Sequence, residues 1–143
     1  MKKIVTVIAI AICVFFTTSF AVKDANEDVV ESLVCQRTDV LSSYYAGHEG
    51  KEETISIIEK IETGLLKKND LENIEIYFQT DIDQVKGYTI KDIDITYEDD
   101  EMICANITIE WESESIMGKE KFINCYSVIC EKKDNTYKLA QFL

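Results

Sequence analysis

The chain has 143 residues, 27 acidic against 15 basic, a formal net charge of −12, five glycines, one histidine and no proline. Such a surface repels duplex nucleic acid and anionic lipid leaflets, so neither is expected as a partner. With His48 the only histidine, a histidine-rich metal site and a His–His proton relay are both excluded.

Lys2 and Lys3 precede an uncharged run from Ile4 to Phe16, and Thr17, Thr18 and Ser19 then interrupt it. Ser19-Phe20-Ala21 places small residues three and one positions before a cut, which is the layout of a secretory signal. Residues 1–21 are therefore expected to be a leader cleaved after Ala21, and residues 22–143 a single exported domain. The alternative is retention as an anchor, because Ile4 to Val22 is nearly long enough to span a bilayer of ~30 Å. Lipid attachment at Cys13 is disfavoured by Ile12 before it and by the apolar Val14-Phe15-Phe16 after it. Every acidic residue lies beyond Ala21, so loss of Lys2 and Lys3 makes the mature chain more negative still. That charge suits a soluble, exported protein.

From Val30 a helical period begins. Val30, Leu33, Val34, Arg37, Leu41, Tyr44 and Tyr45 recur at three- and four-residue steps. Asp24 or Asn26 can cap this helix, and Gly47 and Gly50 stop it. Ile57, Ile58, Ile61 and Leu65 mark a second helix, with acidic residues at its start and Lys67 and Lys68 at its end. The period then falls to two. Ile74, Ile76 and Phe78 alternate, followed by Tyr88 and Ile90 on one parity and Ile93, Ile95 and Tyr97 on the other. A parity change within one apolar strand predicts a bulge at Lys91-Asp92. Glu98 to Glu101 reads as a charged hairpin loop, and Ile103, Ala105, Ile107, Ile109 and Trp111 as the inward side of the clearest strand. Strands from Phe122 to Cys130 and through Tyr137, Leu139 and Phe142 complete the sheet. The expected fold is α+β: two N-terminal helices packed on a curved antiparallel sheet of four to five strands.

Four cysteines, Cys35, Cys104, Cys125 and Cys130, follow the leader. An exported protein permits disulfides, and four cysteines allow three complete pairings. Cys104 with Cys125 or Cys130 is the plausible bridge, because their strands should be neighbours; free buried thiols are the alternative. None has zinc-site spacing.

Trp111 at a strand end, a loop at Gly118, Tyr126-Ser127-Val128, then Lys132 to Leu139 and Phe142 resemble the C-terminal half of nuclear-transport-factor-2-like domains. The layout of most of the mature chain is similar to theirs, and the residues of its last third. The resemblance implies a bent sheet wrapped as a cone around a long helix. Enzymes of that superfamily carry a His or Asp pair inside the cone, and no such pair matches here. The resemblance thus implies a fold and leaves function open.

Known chemistries fail one by one. Counting a calcium loop from Asp81 puts Val85 and Lys86 where an oxygen ligand and a glycine belong. Gly118-Lys119-Glu120 lacks the rest of a phosphate loop, and no nucleophile elbow exists. Asn106-Ile107-Thr108 matches a glycosylation acceptor but lies within a strand. Cys35 and His48 are too far apart along one helix to form a nucleophile pair. No cofactor or metal is implied. Arg37, a charge on an apolar stripe, is the most informative residue. It either reaches into the cone as an anion site beside Tyr44 and Tyr45, or pairs with a carboxylate at the stripe's edge. Trp111, Tyr126 and Tyr45 are the candidate pocket aromatics, with packed core as the alternative.

These readings favour a non-catalytic exported module that binds a small molecule or a protein. Two other classes follow from the same residues: a membrane-anchored subunit of an envelope or secretion assembly, and an enzyme using Glu110 or Asp94 as a carboxylate acid or base.

Overall fold

The computed structural model describes residues 24–77, 84–115 and 118–143. The leader, Phe78 and the Asp81-Ile82-Asp83 segment lie outside them. Three helices precede a four-stranded antiparallel sheet: α1 (Ala25–Tyr45), α2 (Lys51–Ile61), α3 (Gly64–Ile76), β1 (Gln84–Glu98), β2 (Met102–Ser115), β3 (Gly118–Lys133) and β4 (Thr136–Phe142). The strands run in the order β1-β2-β3-β4. The α+β class and the single antiparallel sheet are as expected. Among the described residues, no helix is long and apolar enough to cross a membrane.

Asp24 caps α1, its carboxylate accepting from the Asn26 N–H at 3.0 Å. Gly47, at φ 77, ends the helical run in a conformation that costs other residues more. Val30, Leu33, Val34, Leu41 and Tyr44 are buried, as their spacing predicted.

The helix count differs from the expectation. The segment from Leu71 to Ile76 is helical, not the start of a strand. Ile74 is buried whereas Ile76 is 69% exposed, so the apparent alternation of the two is chance. The true period is four: Leu66, Asp70 and Ile74 share the inward side of α3. Gly64 is the reason for the extra helix. Glu62 and Thr63 are extended, and Gly64 at φ 61 turns the chain into α3. Glu62 forms a parallel bridge with Leu139, and the Thr63 N–H donates to the Leu139 carbonyl at 2.8 Å. The helix break thus docks on β4.

The predicted bulge is present. Ile90 lies opposite Ile109 and Asp92 opposite Thr108, leaving Lys91 as the extra residue. Two more irregularities fall at Val85/Gly87 and Ile95/Tyr97. Ile103, Ala105, Ile107, Ile109 and Trp111 all point inward and join Val128, Cys130 and Leu139 in the core. Asp134 and Asn135, at φ 50 and 65, form the β3–β4 turn, where this pair tolerates left-handed backbone. The Glu98–Glu101 loop closes on itself, Asp99 accepting from the Glu101 and Met102 amides at 2.8 Å each.

The four cysteines are free thiols. Cys130 lies opposite Ile103 and Cys104 opposite Ile129, so Cys104 and Cys130 project from opposite sheet faces. Cys125 shares the outer face with Cys104 but lies opposite Thr108, about 13 Å along the strand and beyond bridging reach. Burial pushes the Cys130 thiol up to about 12, leaving it an inert core side chain.

Trp111 is buried between the rings of Tyr88 and Tyr126, with centroids 5.8 and 6.1 Å away. Trp111→Ala should cost about 3–5 kcal/mol, read as a lower denaturation midpoint with an unchanged slope. An unchanged midpoint would contradict this packing.

Candidate functional site

The inward stripe of α1 carries Arg37 over the junction of α2 and α3. Its Nε donates to Glu62 Oε1 at 3.0 Å and to Asp70 Oδ2 at 2.9 Å, and its Nη2 lies 2.6 Å from Asp70 Oδ2. The guanidinium carbon sits 5.0 Å from the centre of the Phe142 ring on β4. Four elements therefore meet at one cation. Glu62 is held there by the extended break that bridges to β4, and Asp70 by the inward stripe of α3.

Glu62 is fully buried, and its Oε2 has no hydrogen-bond partner. Burial pushes its carboxyl up to about 8; Asp70 raises it further, against the opposing pull of Arg37. Glu62 therefore holds its proton at neutral pH. Arg37 and Asp70 form the ion pair, and Glu62 joins it as a neutral acid whose Oε1 accepts from Arg37.

Of the candidate pocket aromatics, Tyr44 is core: its hydroxyl donates to the Ile74 carbonyl at 2.7 Å. Tyr45 lies half-buried beside the cluster, its phenol raised by burial and by Asp70. Trp111 and Tyr126 connect to the cluster through Phe142, which stacks on Tyr126 at 4.6 Å. Tyr88 extends this aromatic strip and donates to Asp39 at 2.8 Å. The structure thus brings Arg37, Tyr45, Trp111 and Tyr126 into one packed strip, with Arg37 already engaged by two carboxyl groups.

A general acid must reach the proton it transfers, and Glu62 has no exposed surface. Three surface grooves, near Glu31 and Ile93, Ile55 and Leu71, and Leu33 and Tyr137, are not lined by Arg37, Glu62 or Asp70. Glu110 faces outward between Lys91 and Lys121, which hold its carboxyl below the usual range, against an acid role. Among the described residues, no three His, Cys, Asp or Glu side chains converge as metal ligands. Glu62 and Asp70 were not singled out from the sequence. A signal was there: an arginine on an apolar stripe requires counter-charges, and Asp70 lies four residues from both Leu66 and Ile74.

No protein-family profile matches the chain, and no curated protein does. Among solved structures, the intermembrane space region of the chloroplast protein ARC6 is similar at a TM-score of 0.49 and 11% identity, over 84% of this chain and 95% of that one. At that distance the likeness bears on neither family nor role.

Two tests follow from the cluster. The folded-state pKa of Glu62 lies above its ordinary value of 4.5, so the folded chain binds the extra proton between about 4.5 and 8. This group's contribution to stability is full below that window and is lost as pH rises through it, by up to about 1.4 kcal/mol per unit. Urea titrations of Glu62→Gln should lack that slope and show a relative gain above pH 8; an identical pH profile would contradict the buried neutral acid. Arg37→Met should destabilise by about 3 kcal/mol, because two buried carboxyl groups lose their cation. A midpoint near wild type would place Arg37 at an exposed edge.

Proposed function

We propose that this chain is an exported, non-catalytic protein-binding module whose binding element is the part of its sheet that no described helix covers. One observation carries the reading. Along Gly118–Cys125, where β3 pairs with β2, every residue is exposed, so no described helix covers either face of the sheet there. Phe122 and Ile123, 43% and 60% exposed, stand on opposite faces of this uncovered stretch. An uncovered stretch of sheet with apolar side chains on both faces is what a protein partner docks on.

The leader-like residues 1–21 support export, and the acidic surface supports solubility outside the cell. The bulges of β1 support a sheet bent around α1, as in the cone of nuclear-transport-factor-2-like folds. The packed aromatic strip and the paired Arg37 favour a protein partner over an anionic small molecule.

A photo-crosslinking residue at position 122 should capture a protein in the native compartment, and the same probe at the exposed Lys60 of α2 should not. Capture at 60 with none at 122 would overturn the reading.

A further inference from the structure

Two buried carboxyl groups share the guanidinium of Arg37, and from their placement we infer that the α2–α3 break is a pH-responsive latch on β4. The latch is closed while Glu62 keeps its proton. Loss of that proton lets the break swing out while the sheet stays folded. The inference goes beyond the binding-module reading and does not depend on it.

The cluster sets one cation against two acids. Arg37 donates from Nε to both and from Nη2 to Asp70, which leaves Glu62 Oε2 buried without a partner. A second anion at this point would lack both a second cation and a donor for that oxygen. The groups that face Glu62 are Arg37 and Tyr45 from α1 and Asp70 from α3. Burial and Asp70 raise the Tyr45 phenol, so it stays uncharged through the neutral range. From β4 come the uncharged Leu139 and Phe142, while Lys138 is turned to the Glu59 carbonyl at 3.0 Å. Glu59 and Lys60 of α2 are exposed. Among the described residues, Arg37 is the one cation paired with Glu62.

The break is the part that can yield. Arg37 and Asp70 sit within helices, among buried neighbours such as Val34, Leu41 and Ile74. Glu62 and Thr63 are extended and belong to neither helix. Their main-chain hold on β4 is the bond from the Thr63 N–H to the Leu139 carbonyl. Solvent is close by: Gly64 and Leu65 are exposed, and a Cβ on Gly64 would meet no atom within 4 Å. What stays behind is balanced, because Arg37 and Asp70 remain as a one-to-one ion pair.

The sign with pH follows from the two states. Held in the cluster, the Glu62 carboxyl keeps its proton up to about 8; in a released break it titrates near 4.5. Closure is therefore at full strength below 4.5 and weakens about tenfold per pH unit up to about 8. Above that the weakening stops, because both states are ionised.

Native-state amide hydrogen exchange reads the latch at Thr63, with Ile107 of the central strand β2 reporting global unfolding. Protection is taken relative to an unstructured amide at the same pH. For Thr63 it should lie well below that of Ile107 and resist low urea, since a local opening exposes little surface. It should also fall about a hundredfold between pH 5.5 and 7.5. Glu62→Gln should abolish that fall. Asp70→Asn should abolish it too, because Glu62 then becomes the counter-ion of Arg37 and ionises in place. Thr63 protection equal to that of Ile107 at every pH would mean that the break opens only with the whole molecule, and would overturn the latch. So would a local opening of Thr63 that ignores pH, or a pH dependence that survives in either variant.

Discussion

The buried charge at Arg37 constrains how the helices can sit on the sheet. A guanidinium on the inward stripe of a helix has lost most of its water and must be given hydrogen-bond acceptors. Glu62 and Asp70 provide them from the α2–α3 break and from α3, and Phe142 supplies a ring face from β4. The acceptor count exceeds the charge needed, and the surplus is resolved by protonation of Glu62. Packing of all three helices against β4 is thereby tied to one electrostatic solution, which hydrophobic contacts alone would leave free to slide.

That solution also limits what the interior can do. The strip from Tyr88 through Trp111, Tyr126 and Phe142 to Arg37 fills the inner surface with rings in contact. A proton held at Glu62 without access to solvent affects stability and cannot be delivered to a substrate. In the proposed reading, molecular recognition falls to surfaces the helices do not cover. The sheet offers one along the exposed Gly118–Cys125 stretch of β3.

Some of this was legible in the sequence because the relevant signals are local. The alternation from Ile103 to Trp111 and the parity change at Lys91 are properties of a single strand, and both appear as read. The third helix was hidden because Ile74 and Ile76 mimic a strand over three residues, while the period that matters, Leu66 to Asp70 to Ile74, includes a charged residue. An aspartate on an apolar stripe looks like an interruption until its cation is known. Arg37 was visible as an anomaly, but its partners lie 25 and 33 residues away, a distance no periodicity reports. The cysteines show the same limit. Neighbouring strands were inferred correctly, yet whether two thiols can meet depends on face and register, and Cys104 and Cys130 differ in face.

The central claim is that one cluster, Arg37 with Asp70 and a protonated Glu62, fixes the helices on the sheet. The carbon-13 shift of the Glu62 side-chain carboxyl, followed by NMR through a pH titration of the folded protein, tests it most directly. The carboxyl should remain protonated at neutral pH and lose its proton at about 8. Titration near the ordinary value of 4.5 would contradict the account.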